Sequence, residues 1–290
     1  MTCDKVSVNM TKLKLVSLGV AFSSTLLAQW PSYKSPGAPR NPDGRVNLTA
    51  PAPKAADGHP DLSGVWDRGT VPGALTPAGP PPPPPPPGGF GAAPPPGPRP
   101  FQDLPSLFPG GLPMQPWAAK LRAERLAENS KDHPDAHCLP LHPVQLHFHP
   151  QPRKIIQTPG EVLIVYEANN GLRQIFTDGR SLPSGDPQPF WYGYSAGKWD
   201  GDTLVVESTG FRELMWIDEE GTPFTNAGHI TERFLRLNYG TLEIEVTVND
   251  PKTFTRPFTF KLNQRLMPDT DLIEFVCAEN NTSVPHLVGK

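Results

Sequence analysis

The chain has 290 residues, 40 of them Pro and 26 Gly, with a formal net charge of −3 and a pI near 6.2. This composition, with no Gly-X-Y period, excludes collagen, a long coiled coil and a polytopic membrane protein. The slightly acidic balance argues against a nucleic-acid partner.

Lys5, Lys12 and Lys14 precede an apolar run from Leu15 to Ala28. A basic start, a short apolar stretch and a small last residue describe a secretory signal peptide over residues 1–28. About 14 apolar residues are too few to span roughly 30 Å of hydrocarbon, so no membrane span is expected once the signal is removed. The expected location is periplasmic or secreted. Cys3 leaves with the signal, and Cys138 and Cys277 remain. An even pair in an oxidising compartment is expected to form a disulfide, with a catalytic thiol as the other reading.

Thirty-two of the 40 Pro lie at or before Pro159. Each Pro removes a backbone donor and fixes φ, so the packed mass is expected in residues 153–290. Residues 29–60 read as an extended linker. Leu62–Trp66 is a short apolar run, and residues 61–71 are expected to supply the first strand. Residues 72–113 form a Pro/Gly-rich insertion whose Pro80–Pro87 run reads as solvated polyproline II. It is expected to be dispensable for folding. Within 114–152, Met114–Asn129 reads as a helix with Pro116 in its first turn, followed by a Pro-broken loop.

Hairpin signals then recur. Lys154–Gln157 and Glu161–Tyr166 flank Thr158-Pro159-Gly160, and Asn169-Asn170-Gly171 leads into Arg173–Thr177. Tyr192–Trp199 and Thr203–Ser208 flank an Asp-Gly turn, a strong hairpin signal. Ile230–Arg236 and Thr241–Val248 flank Asn238-Tyr239-Gly240. Phe258–Leu266 and Leu272–Cys277 flank Pro268-Asp269. About nine strands in sequential hairpins predict a mainly β fold: an antiparallel meander closing into a calycin- or lipocalin-like barrel, with one helix and a long Pro-rich N-terminal arm. Period-2 alternation sets Ile230, Glu232 and Phe234 on one face, and Phe258, Phe260, Leu262, Gln264 and Leu266 on another. Glu232 and Gln264 are polar residues on apolar faces, and a buried carboxylate is costly unless paired.

Three stretches carry a resemblance: Arg173-Gln174-Ile175-Phe176-Thr177-Asp178-Gly179-Arg180, Gly193-Tyr194-Ser195-Ala196-Gly197-Lys198-Trp199-Asp200-Gly201-Asp202-Thr203-Leu204-Val205-Val206-Glu207, and Thr231-Glu232-Arg233-Phe234. With Asp250-Pro251 and Cys277-Ala278-Glu279-Asn280-Asn281, they resemble an uncharacterised family of secreted β-rich proteins common in soil bacteria such as acidobacteria. The resemblance implies secretion and a β-rich fold, not an activity. Gly64-Val65-Trp66 is similar to the Gly-x-Trp of lipocalins, and in that resemblance Arg265 would cover the Trp.

As a small-molecule site, the polar and aromatic residues form one group. Glu232 in an apolar surround is a candidate general acid or base, with His229 as a proton shuttle and Arg173 as an oxyanion partner. Tyr166, Asp178, Arg180, Trp191, Tyr192, Tyr194, Trp199, Trp216, Asp218 and Gln264 are candidate ligand-binding residues. The bland reading makes Glu232 half of a structural ion pair with an Arg. His147 and His149 would share a face of an extended strand, as a metal pair requires. The stretch Gln145–His149 is similar to the zinc strand of α-carbonic anhydrases, but no third-ligand strand accompanies it. No metal or other cofactor is implied, and no Gly-x-Ser-x-Gly, phosphate loop or His-Glu-x-x-His occurs. The expected function is binding of a small apolar, aromatic or sugar ligand. The alternative is an extracytoplasmic lyase, isomerase or cyclase using Glu232 with His and Arg.

Overall fold

A computed structural model describes residues 34–71, 98–185, 187–279 and 286. The expected signal segment and residues 72–97 of the insertion lie outside them. The fold is mainly β. Eleven strands occur among the described residues: β1 (Gly64–Trp66), β2 (Arg153–Thr158), β3 (Glu161–Tyr166), β4 (Gly171–Phe176), β5 (Tyr194–Asp200), β6 (Thr203–Thr209), β7 (Met215–Trp216), β8 (Pro223–Phe224), β9 (His229–Asn238), β10 (Thr241–Asn249) and β11 (Phe258–Arg265). Two α-helices, α1 (Pro116–Ala127) and α2 (Pro143–Leu146), lie between β1 and β2. Nine strands form one barrel-shaped, nearly closed sheet in the order β1-β2-β3-β4-β5-β6-β9-β10-β11, and β7 and β8 form a separate hairpin. No helix among the described residues is long and apolar enough to cross a membrane.

Closure comes from the short β1. On one side it pairs with β2, Gly64 opposite Ile155. On the other it reaches the last strand through bridges Trp66–Leu266 and Thr70–Asn263, and Met267 N donates to Val65 O at 2.8 Å. Gly64 permits this approach. Its φ is +147°, and a Cβ there would stand 2.5 Å from Leu266 Cδ1, closer than atoms pack.

The meander is interrupted once. β4 and β5 run parallel, with Ile175 opposite Ser195 and Phe176 opposite Ala196. The connection 177–193 crosses between barrel ends instead of folding as a hairpin, and Pro183, Pro187 and Pro189 withhold the donors a ladder would need. Leu272–Cys277, expected as a strand, is irregular. The closing strand is β1 instead, and the C-terminal segment is pinned by side chains: Lys154 Nζ lies 2.7 Å from Asp271 Oδ2. Cys277 sits at disulfide distance from Cys138, their Cα atoms 5.5 Å apart.

Both barrel ends are covered. At one, residues 35–63 pack across the turns, so the span read as an extended linker is a folded arm. Arg40 pairs with Asp269 at 2.7 Å, Tyr239 N donates to Ala50 O, and His59 stacks on Trp199 with centroids 4.5 Å apart. The other end is plugged by the wholly buried run Leu141–His149. Phe148 packs on Phe260, and Arg153 donates to His147 O and His149 O. Helix α1 lies outside, against β7 and β8, with Arg125 over the Trp216 ring at 4.3 Å. Residues 98–113 also pack: Leu104 is buried, with its N–H on Asp218 Oδ2. The described part of the expected insertion therefore contributes Leu104 and Leu112 to the core. The interior is filled by alternating side chains, among them Ile155, Ile164, Ile175, Val206, Ile230, Phe234, Leu242 and Leu262.

Candidate functional site

Glu232 points inward between Ile230 and Phe234, and none of it reaches solvent. Arg173 enters from β4, inward with Gly171 and Ile175, and is equally buried. Its Nη1 donates to Glu232 Oε1 at 3.0 Å and its Nη2 donates to Oε2, a two-point pair. Nη2 also donates to Ser208 Oγ at 3.0 Å, and Nε to Ser195 Oγ at 3.3 Å, the two hydroxyls 2.8 Å apart. His147, from the plug, closes the remaining side, its Nε2 2.7 Å from Glu232 Oε1. An ionised carboxylate only accepts, so the His147 proton sits on Nε2.

Burial alone would raise the Glu232 pKa. The Arg173 charge and the hydrogen bonds from His147 and Arg173 overcome it, holding the carboxyl well below the usual carboxylate range. Burial also opposes the Arg173 charge, yet Glu232 raises its pKa overall. Burial lowers His147 despite the adjoining Glu232. Tyr166 interacts with Arg173, and burial pushes its hydroxyl up. His142 lies between Phe211 and Phe224 and accepts from Val144 N, and burial first, then Arg173, lowers it to about 3. The centre is thus an ionised Glu–Arg pair beside neutral imidazoles. A carboxyl held ionised is a poor proton donor, and Arg173 has its Nε, Nη1 and Nη2 all engaged.

The structure brings Glu232, Arg173 and Tyr166 together, with Tyr192 stacked on Tyr166, and disperses the other expected site residues. His229 is exposed at the start of β9 and is not joined to Glu232. The imidazole on Glu232 comes from His147, which sequence reading considered only as a metal ligand. His149 turns away, 3.9 Å from Asp135, and no group of three or more His, Cys, Asp and Glu placed to hold a metal occurs among the described residues. Asp178 and Arg180 pair with each other, Arg180 lying over Phe176. Tyr194 also packs on Phe176. Trp191 lies under Arg212. Trp199 is covered by His59, and Trp216 lies between Arg125 and His133. Asp218 anchors the β7–β8 turn, accepting from Leu104 N, Thr222 N and Thr222 Oγ1. Gln264 is buried, with neither amide atom partnered among the described residues.

Trp66 is covered by Arg236 of β9, at 5.0 Å, and not by Arg265, which is exposed. The inward register of Arg236, two beyond Phe234, carries it under the arm, where it donates to Asp61 O, Ser63 O and Tyr239 O. Around it lies a cleft of about 320 Å³ between the arm and the barrel end. Ser35–Gly37 and Pro53 line it from the arm; Ser63, Val65, Lys154, Tyr239, Leu266 and Thr270 line it from the barrel side. Sequence reading missed this cleft because part of its wall is the arm.

Comparison with known protein families, with characterised proteins and with solved structures finds no match.

Proposed function

We propose that this chain is an exported β-barrel that binds a small molecule, and that its ligand site is the cleft between the arm and the Trp66 end. The observation that carries this reading is the cleft itself. Its volume, about 320 Å³, falls in the range of small-molecule sites, and its walls mix apolar side chains with hydroxyls and carbonyls. Export is supported by the basic-then-apolar start of the sequence and by the Cys138–Cys277 pair. An acid–base reaction at Glu232 would need a route from solvent to a carboxylate that Arg173 and His147 already occupy. Glu232 and Arg173 are 0% exposed and His147 is 3% exposed, so that centre reads as structural.

A thermal-shift screen over neutral, charged and apolar metabolites, run on the wild type and on Thr270→Trp, tests this. The larger side chain at Thr270 fills the cleft, so a ligand should stabilise the wild type and not the variant. Equal stabilisation of both, or none of either, would refute the assignment.

A further inference from the structure

We infer that the cleft takes a neutral polyhydroxylated ligand, a saccharide of one or two rings. This rests on the cleft being the ligand site and goes further by naming the class. The charged groups on the wall already have hydrogen-bond partners, and Lys154 is ion-paired with Asp271. The Arg236 guanidinium donates to four carbonyls, those of Asp61, Ser63, Asn238 and Tyr239, and faces Trp66 and Tyr239 at 5.0 and 5.2 Å. Lys154 Nζ is held by both Asp271 oxygens, at 2.8 and 2.7 Å. The Asp61 carboxylate accepts from Ser63 N at 2.9 Å. A charged ligand would have to displace these partners while losing its own hydration, which disfavours it.

The hydroxyls, in contrast, have capacity left. Tyr239 lines the cleft, and its phenol has no hydrogen-bond partner among the described residues. Ser63 Oγ accepts from Gln157 N at 3.1 Å, and Ser35 Oγ accepts from Asp269 N at 2.9 Å. The Ser63 hydroxyl still has a proton to donate, whereas that of Ser35 is also hydrogen-bonded to the Asp269 carboxylate. Val65, Leu266 and Met267 supply apolar wall beside them. A pyranose presents the matching surface, a C–H face for the apolar side and a rim of hydroxyls that donate and accept. An entirely apolar ligand would strand these groups, which costs affinity.

Isothermal titration of the full chain with glucose, maltose, cellobiose and sucrose tests the class, with glucuronate and 1-naphthol as the charged and apolar comparisons. At least one neutral saccharide should bind. Its affinity should fall about 3–10-fold in Tyr239→Phe, the loss of one hydrogen bond, and be unchanged in Tyr194→Phe on the outer surface. It should vanish in Thr270→Trp. Binding of glucuronate or 1-naphthol but no saccharide, still abolished by Thr270→Trp, would overturn the class and leave the cleft as the site. Binding that survives Thr270→Trp, or no binding by any of the six, would overturn both.

Discussion

Substitution Glu232→Gln separates a structural centre from a catalytic one. It keeps the side chain's volume and removes its charge. Arg173 then keeps its cation with no anion beside it, only the hydroxyls of Ser195, Ser208 and Tyr166 and a neutral amide, at a position with no solvent exposure. Breaking a buried pair in this way costs about 3–5 kcal/mol. At about 2–4 °C per kcal/mol for a domain of this size, Tm should fall by about 6–20 °C. The companion Arg173→Met should also destabilise, and the double variant should recover part of the loss, since replacing both partners is far cheaper than stranding one. A pH dependence follows from the depressed Glu232 pKa. Its stabilisation is fully present above the unfolded value of about 4.3 and is lost as pH falls through the folded value. The gap between wild type and Glu232→Gln should therefore be widest above about pH 4.3 and narrow in acid. Calorimetric or circular-dichroism melts from pH 7 down to pH 3 read all of this. A Glu232→Gln variant melting within about 1 °C of wild type would refute the reasoning.

Three further outcomes follow from the packing. Gly64→Ala drives a Cβ toward Leu266 Cδ1 and should loosen the β1–β11 closure, seen as faster amide exchange at Asp67 and Met267, whose N–H groups donate to Arg265 O and Val65 O; unchanged exchange would contradict the closure argument. Reduction of Cys138–Cys277, separated by 139 residues, should lower stability by about 4–5 kcal/mol in the chain-entropy account, and native protein with two alkylatable thiols would show that the bond does not form. His133 and His142, lowered by burial to about 4 and about 3, bind fewer protons folded than unfolded. Their stabilisation is full above about pH 6.5 and is lost as pH falls through the folded values; Asp218, raised by burial to about 6, opposes them in part. Urea midpoints should therefore be lower at pH 4.5 than at pH 7.5, and equal midpoints would count against buried neutral imidazoles.

The barrel was legible because its strands alternate cleanly and Gly-containing turns separate most of them. Glu232 stood out as polar in an apolar register, and the same rule marks Arg173, Ser195 and Ser208 in β4, β5 and β6. Its imidazole partner was not legible. His147 reaches Glu232 from a sequence separation of 85, through a plug whose Pro140, Pro143 and Pro150 read as loop. His229, three residues from Glu232 along β9, is at the strand's exposed end. Leu272–Cys277 is apolar enough for a strand, but it pairs with no strand once β1 has taken the edge of β11, and its backbone is met by side chains, as where Ile273 N donates to Glu167 Oε2. The arm misled for a related reason. Its Pro-rich composition does suppress strands, yet it binds through single contacts such as Arg40–Asp269 and His59–Trp199, which carry no periodic signal.

Amide hydrogen exchange on the full chain, with and without the compound that stabilises it most in the thermal-shift screen, tests the cleft assignment most directly. Ligand held between arm and barrel should slow exchange together in residues 35–37, 63–65 and 266–270, leaving the strands around Glu232 unchanged. Slowing confined to β4, β6 and β9 around Glu232, with the arm unaffected, would contradict the account and place the ligand in the barrel interior.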